Sequence, residues 1–199
     1  MYHTQPQANT HRVALQQFLH RQMTISEEAA AEVVQSFEEQ AVATGEVLLR
    51  RGQTARYAYF VNEGCLLSTI HNQYGEENSL ELHFEGDWLG ATDSFLHRRP
   101  GPERIAALEP SLLLRLEREE FERLCSTVGP LRNFCQRLMQ SAARSTAERL
   151  RSLMTMSALE RMRWLQAKRP HIFTRLPNRL VASYLGIAEA TLSRLKVKL

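Results

Sequence analysis

Evenly spaced glycines constrain the fold of this 199-residue chain more than any other feature. Glycines stand at positions 45, 52, 64, 75, 86 and 90, and short runs of aromatic and aliphatic residues lie between them. Those runs cover residues 57–62, 65–70 and 80–84, and a further pair over 105–116 is broken at Glu109-Pro110. Turn residues about every 8–12 positions, with short strands between them, are typical of an antiparallel sandwich or barrel.

Helical patterns flank this β-rich segment. Apolar residues recur at near-helical spacing around Leu15 and Leu19, a capping box starts at Thr24, and residues 118–126 favour a short helix. After Gly129-Pro130 the chain has no Gly or Pro until Pro170, which predicts one helix over residues 130–156. An apolar stripe runs along this helix at three- and four-residue steps and consists of Leu131, Phe134, Cys135, Leu138, Met139, Ala142, Leu150, Leu153 and Met154.

That helix is about 40 Å long at 1.5 Å per residue, which is more than a small domain needs for its own core. We therefore predict that two copies of the chain pair through residues 130–156, as in a coiled coil. The fold class is α+β. We expect boundaries after residues 128 and 156, which divide the chain into the parts 1–128, 129–156 and 157–199.

The net charge of +3 conceals two oppositely charged parts. Residues 1–130 hold 11 Lys and Arg against 19 Asp and Glu, a net charge of −8. Residues 131–199 hold 14 against 3, a net charge of +11. A basic C-terminal part is typical of a nucleic-acid binder, although a solvated basic helix surface has the same composition.

The last segment, LPNRLVASYLGIAEATLSRLKVKL, predicts a helix-turn-helix. Pro177 suits a helix start, and the small Ala182 allows a second helix to cross closely. Gly186 suits the positive φ of a tight turn, and Leu192 is placed to pack back on the first helix. Leu195 and Leu199 share the side of Leu192 and are expected to face inward. Ala188 is a weak helix cap, and Glu189 partly compensates at the positive helix end.

The opposite side of the second helix is expected to enter the major groove of DNA. There Arg194 suits guanine, Ser193 suits several base edges, and Ala190 and Val197 suit thymine methyl groups. Phosphate contacts are expected from other residues of the segment, namely Asn178, Arg179, Thr191, Lys196 and Lys198.

Several other classes of protein are disfavoured. No apolar run approaches the length of a membrane span, and the polar N-terminus MYHTQPQANTHR lacks the apolar core of a secretion signal, so we expect a cytoplasmic protein. The cysteines at 65, 125 and 135 form no CxxC and are expected to be free thiols. No metal site is expected. Haem ligation through His71, His83 or Cys65 stays open. A cupin-like metal enzyme would need a His-x-His pair with a Glu, and His83-Phe-Glu85 supplies only one histidine.

These features together resemble the cAMP receptor protein/FNR (Crp/Fnr) superfamily of bacterial transcription regulators. The resemblance rests on GEVLLRRGQTARYAYFVNEG, GDWLGATDSF, ERIAALEPSLLLRLEREEFERL and the last segment, which looks particularly like a Bacteroidetes-type subgroup. It implies a sensor domain over residues 1–128 with a β-roll of the cyclic nucleotide-binding type, a dimerisation helix over 129–156 and a DNA-binding domain over 157–199. The resemblance further implies a homodimer that binds palindromic promoter DNA and contacts RNA polymerase, with no enzymatic activity. The β-hairpin wing that many members carry beside the helix-turn-helix is reduced or missing here.

The resemblance also marks a ligand site. In members that bind cyclic AMP, a Glu holds the ribose and an Arg-Ser pair holds the phosphate. Here Gly90 is kept, Ala91 replaces the Glu, Arg104 matches the phosphate arginine, and Ile105 replaces the Ser before Ala106. A cyclic nucleotide is therefore disfavoured, and another small ligand or none at all stays open. A stand-alone ligand sensor that acts through protein contacts is the alternative to a DNA-binding regulator.

Overall fold

The computed structural model describes residues 7–199, with side chains from His11 onward. The first six residues of the N-terminal segment that we interpreted as lacking a secretion signal lie outside this range. Nine helices and eight strands follow one another in the described chain: α1 (Gln7–Gln22), α2 (Glu27–Gln35), β1 (Glu38–Val42), β2 (Val47–Leu49), β3 (Tyr57–Glu63), β4 (Leu66–His71), β5 (Glu77–His83), β6 (Trp88–Leu89), α3 (Thr92–His97), β7 (Arg104–Ala107), β8 (Ser111–Glu117), α4 (Arg118–Thr127), α5 (Gly129–Thr155), α6 (Ala158–Lys168), α7 (Ile172–Arg175), α8 (Asn178–Leu185) and α9 (Glu189–Lys196).

The strands form two four-stranded antiparallel sheets, and the predicted α+β fold with its β-roll is confirmed. Sheet A has the order β1-β8-β3-β6, and sheet B has the order β2-β7-β4-β5. In sheet A, β3 runs against β8 with Tyr59 opposite Arg115. In sheet B, β4 runs against both β5 and β7, with Leu67 opposite Leu82 and Ala106.

Local sequence explains where several of these elements start and turn. The capping box predicted at Thr24 is wrong: α2 starts two residues later, where Ser26 caps it by accepting a hydrogen bond from the Ala29 amide. A capping box of Ser157 and Glu160 starts α6. Gly64 turns β3 into β4 with a φ of +100°, and a Cβ at this position would lie 2.2 Å from the Ser111 Oγ. Only glycine satisfies both the backbone and the space at that turn.

Three hydrophobic clusters organise the molecule. The first lies between sheet A and the helices α1, α2, α4 and α5, with Phe37, Leu114 and Phe134 near its centre. The second fills the inside of the β-roll and includes Leu66 and Ile105. The third lies on the outer face of sheet B and joins the roll to α6–α9; it contains Cys65, Leu67, Leu82, Phe84, Met162, Leu165, Ile172, Leu176, Val181, Ala182, Leu185 and Leu192.

The long helix α5 has two environments along its length. Leu131, Phe134 and Cys135 in its first turns are buried in the first cluster, whereas residues 139–147 are exposed. Of the predicted stripe, Met139, Leu150 and Met154 are 39%, 57% and 77% exposed. The predicted helix is confirmed, and much of its apolar stripe is left uncovered by the part of the chain that the structure describes.

The C-terminal part is helical, and residues 118–199 contain no strand. The expectation that Leu199 faces inward is wrong: its side chain is 40% exposed, because α9 ends at Lys196 and residues beyond it leave the helical wheel. The domain boundaries at 128 and 156 stay predictions. No described helix has the length and apolar character to cross a membrane.

Candidate nucleic-acid interface and sensor cavity

The helix-turn-helix geometry is built by α8 and α9. Gly186 ends α8 in the left-handed region with a φ of +63°, and its amide donates to the Ser183 carbonyl. Ala182 and Leu192 are buried where the two helices cross, at 2% and 0% exposure. Ala188 starts α9 without a side-chain cap, as its alanine side chain requires. The close crossing fixes the direction in which the outer side of α9 points.

The outer side of α9 is exposed, as we expected. We call Ala190, Ser193, Arg194 and Val197 the recognition face; all four are solvent-exposed, and Val197 is 89% exposed. The Arg194 guanidinium lies 3.4 Å from the Thr191 Oγ1 of the same helix. Its side chain is exposed and can extend away from the helix. Val197 forms the C-cap of α9 and not part of its last turn.

The residues expected at phosphates fall into two groups. Arg179 and Lys198 are exposed, as is Glu189 at the start of α9. The Lys196 Nζ instead donates to the Asn178 Oδ1 at 2.7 Å and to the Phe173 carbonyl at 2.9 Å. Lys196 and Asn178 therefore hold the end of α9 against α7 and α8 in this structure, and their contact with phosphate stays a prediction.

Ion pairs and hydrogen bonds fasten the helix-turn-helix to the roll. Arg175 donates to Glu85 at 2.5 and 2.8 Å and to Glu109, and Glu85 also accepts from the Gly64 amide at 2.9 Å. The hydrogen bonds from Arg175 lower the pKa of the Glu85 carboxyl to about 2. A second ion pair joins Arg169 to Asp87 at 2.6 Å.

Arg149 connects the long helix to the same interface. Its guanidinium donates to the Tyr184 carbonyl at 2.8 and 3.1 Å and to the Ser79 carbonyl at 3.0 Å. Burial lowers the pKa of this guanidinium from its ordinary value. The Ser183 hydroxyl adds a contact by accepting from the Ser79 amide at 3.1 Å.

The net charge of the C-terminal part did not reveal that some of its basic residues bind the roll. Arg149, Arg169 and Arg175 belong to the +11 part of the chain, yet they serve the contact with the acidic roll. Their partners are separated from them by 66 to 90 residues, apart from Tyr184, which is 35 residues away. No sequence motif marks pairs at such distances, although the opposite charges of the two parts are a weak signal.

The inside of the roll contains a cavity of about 320 Å³ at the predicted ligand corner. Gly90, Ala91 and Ile105 line it, together with mainly apolar and aromatic neighbours: Leu48, Leu49, Gln53, Thr54, Ala55, Arg56, Tyr57 and Tyr59. Ala91 is 1% exposed and caps the short helix α3 without any side-chain hydrogen bond. The carboxylate that would hold a ribose is therefore replaced by a buried methyl group.

Arg104 does not share this cavity. Successive residues of β7 alternate between the two faces of sheet B, so Ile105 points into the roll while Arg104 and Ala106 lie on the outer face. There the Arg104 guanidinium pairs with Glu77 at 3.2 Å. The structure thus brings Gly90, Ala91 and Ile105 together at the cavity. Arg104, which was expected at the phosphate, lies outside it. The residues present do not fit a cyclic nucleotide.

The Asp93 carboxylate forms an ion pair at the surface, where it accepts hydrogen bonds from Arg99 at 2.8 and 2.9 Å.

The candidate haem ligands do not lie close to one another. His83 is buried and lies 3.0 Å from the Ser68 Oγ through its Nε2, Cys65 is buried in the third cluster, and His71 stands at the far end of β4. Within the described part of the chain, no three His, Cys, Asp or Glu side chains are grouped to hold a metal ion.

Comparisons with known proteins agree with this architecture. Residues 39–128 match the cyclic nucleotide-binding domain family. Two curated relatives, both called anaerobic regulatory protein, come from Haemophilus influenzae, with 27% identity over 61% of this chain, and from Aggregatibacter actinomycetemcomitans, with 26% over 77%. The matches span 46% and 63% of those relatives' lengths. Both relatives are regulatory proteins by name.

A solved structure extends the agreement beyond the β-roll. FixK2 from Bradyrhizobium japonicum superposes with a TM-score of 0.70 at 18% identity, over 82% of this chain and 84% of its own. These matches do not support the narrower expectation of a Bacteroidetes-type subgroup. Residues 39–128 therefore match the cyclic nucleotide-binding domain family, and the fold of the chain around them, a β-roll followed by a long helix and a helical C-terminal part, is similar to that of FixK2.

Proposed function

We propose that this chain is a DNA-binding transcription regulator that acts as a homodimer. The observation that carries the proposal is the recognition face: Gly186 and Leu192 fix the crossing of α8 and α9, and the opposite side of α9 is exposed. A helix fixed in this way suits the major groove of B-DNA, which is wide enough to admit it.

The chemistry of the recognition face supports reading of bases. The planar Arg194 guanidinium matches the two acceptors of guanine, the Ser193 hydroxyl both donates and accepts, and the Ala190 and Val197 side chains suit thymine methyl groups. Arg179 and Lys198, both exposed, are placed to neutralise phosphates and to set the register on the duplex.

The uncovered stripe of α5 supports the homodimer. Met139, Leu150 and Met154 of the long helix are left largely or partly exposed by the described residues, and the exposed small residues Ala142 and Ala143 would allow another helix to approach closely. Burying such a stripe against the same stripe of a second copy removes apolar surface from water in both chains. Two recognition helices would then face two half-sites of a palindrome.

The roll cavity is proposed as the place of any effector. Its mainly apolar and aromatic lining favours a small, mainly apolar molecule, because Arg104 does not reach the cavity, Ala91 offers no carboxylate and the cation in the lining, Arg56, is paired with Glu117. A stand-alone sensor is the second candidate. It is favoured by the packing of α6–α9 on sheet B, where Arg169 and Arg175 are engaged by the roll.

Selection of binding sites from random duplex DNA, with and without a panel of cyclic nucleotides, tests the proposal. We expect an enriched palindrome whose half-site centres are about 10 base pairs, or a multiple of that, apart. Its recovery should not change with cyclic AMP or cyclic GMP. If no sequence is enriched, and the weak affinity for DNA disappears at moderate salt, the chain is the stand-alone sensor.

A further inference from the structure

Two of the three cysteines meet at the elbow between the roll and the long helix. Cys125 lies in the last turns of α4 and Cys135 in the second turn of α5, and only Val128 separates the two helices. Their sulfur atoms are 3.9 Å apart, within contact distance, although the residues are ten positions apart in sequence. We call them the dithiol pair. The third thiol, Cys65, belongs to the separate cluster on sheet B.

The two thiols of the pair differ in exposure. Cys125 is partly exposed, whereas Cys135 is 7% exposed and packs in the first cluster beside Phe134. A dissolved oxidant therefore reaches Cys125 first, while Cys135 stays in contact with it from the protein side. This is the arrangement of an attacking thiol and a resolving thiol.

The surroundings of Cys125 stabilise its thiolate. The hydrogen bond between the Cys125 and Cys135 thiols lowers the pKa of Cys125, and the charge of Arg132 acts in the same direction, against the effect of burial. The Arg132 Nε also donates to the Cys125 carbonyl at 3.0 Å, which holds the cation against the backbone of this residue. Burial raises the pKa of Cys65 to about 12, so that thiol stays protonated and unreactive at neutral pH.

We propose that Cys125 and Cys135 form a redox site that reacts with peroxides and closes to an intramolecular disulfide. The Cys125 thiolate attacks the O–O bond of hydrogen peroxide; sulfur takes one OH as sulfenic acid, and the leaving hydroxide takes up a proton as water. The Cys135 sulfur then attacks the Cys125 sulfur and displaces hydroxide, which leaves as a second water with the Cys135 proton. The protein loses two electrons, and peroxide is reduced to two water molecules.

Closing this bond brings the two sulfurs from 3.9 Å to the S–S length of about 2.0 Å. It would therefore fix the angle between α4 and α5 at the base of the helix that carries the uncovered stripe. The proposal goes beyond DNA binding and does not depend on it, because its chemistry involves only the dithiol pair and a dissolved oxidant.

Peptide mapping tests the proposal directly. The reduced full chain is treated with hydrogen peroxide, free thiols are blocked with N-ethylmaleimide, and the protein is digested with trypsin. Cleavage after Arg123, Arg132 and Arg137 places the two cysteines in separate peptides, 124–132 and 133–137. We expect these peptides to be recovered joined, with the mass of the pair reduced by two hydrogens, and to separate after treatment with dithiothreitol.

Matched variants make the outcome decisive. Cys65→Ala should still form the joined peptides, and Cys135→Ser should leave a sulfenic acid on Cys125 that dimedone traps. In the untreated protein, iodoacetamide at neutral pH should modify Cys125 at least about tenfold faster than Cys65. The proposal is overturned if Cys125 passes to sulfinic acid without any joined peptide, if the disulfide joins two chains, or if Cys65 reacts as fast as Cys125.

Discussion

Arg149 and Tyr184 are joined by two kinds of contact. The Arg149 guanidinium donates to the Tyr184 carbonyl at 2.8 and 3.1 Å, and its central carbon lies 4.4 Å from the centre of the Tyr184 ring. One side chain of the long helix thereby holds the first helix of the helix-turn-helix. Since Arg149 also reaches the Ser79 carbonyl, it ties α5, α8 and sheet B together at one point.

Replacing Arg149 with alanine should destabilise the protein. The change leaves two partly buried carbonyl groups without their donor, which we expect to lower the free energy of unfolding by about 1–3 kcal/mol. Urea unfolding followed by tryptophan fluorescence measures this. Arg151→Ala, which removes an exposed arginine from the same helix, is the matched control and should have little effect. Equal stability of the two variants would show that the Arg149 contacts do not hold the interface.

Replacing Arg194 with alanine should weaken specific DNA binding by about 1–3 kcal/mol and relax the preference at one base position. Fluorescence anisotropy with the selected duplex and with single-base variants of it measures both effects. Arg163→Ala, at an exposed arginine of α6 away from the recognition face, serves as the control. An unchanged affinity of the Arg194 variant for the selected duplex would remove this residue from the recognition face.

Replacing Gly64 with alanine should be one of the most damaging small changes in the roll. The new methyl group meets both the Ser111 Oγ at 2.2 Å and the Ser111 Cα at 2.8 Å, at a φ of +100°. We expect a loss of more than about 2 kcal/mol, since overpacking adds to backbone strain. Gly45→Ala has a similar φ of +80° with nothing within 4 Å, and should cost only about 1 kcal/mol. Similar melting temperatures for the two variants would contradict the role of Ser111.

Acid should destabilise the protein partly through His83. Burial lowers the pKa of His83 to about 4, so below the ordinary value of 6.5 the unfolded chain binds a proton that the folded chain does not. Stability is therefore complete above about pH 6.5 and falls as the pH drops towards about 4, with about 2 kcal/mol lost by pH 5. Denaturation at pH 7 and pH 5 should show a smaller difference for His83→Gln than for the unchanged protein. The same difference in both would assign the acid sensitivity to other groups.

Local patterns in the sequence predicted most of the fold. The glycine spacing predicted the turns of the roll, Pro130 predicted the start of the long helix, and Gly186 with Leu192 predicted the helix-turn-helix. Each of these features depends on neighbours within a few residues. The exposure of Leu199 was missed because the helical wheel does not reveal that α9 ends three residues earlier. A wheel is only as good as the helix boundary assumed for it.

The site was predicted less completely, for two physical reasons. The face of sheet B on which Arg104 lies depends on the register of β7. A shift of one residue moves a side chain from one face of a sheet to the other. The engagement of Arg175 by Glu85 and Glu109 depends on how the C-terminal helices settle on sheet B, which local propensity does not determine. Both features come from tertiary packing, whereas the recognition face follows from a single helix.

The third hydrophobic cluster bears on how such chains diversify. Because Leu67, Leu82 and Phe84 of the roll share one apolar contact layer with Val181 and Leu192, the C-terminal helices and the β-roll are not freely interchangeable. A chimaera that joined these C-terminal helices to a foreign roll would expose both halves of that layer unless the partner matched it in shape. Recombination would therefore succeed only when the outer face of sheet B was exchanged together with the helices that cover it.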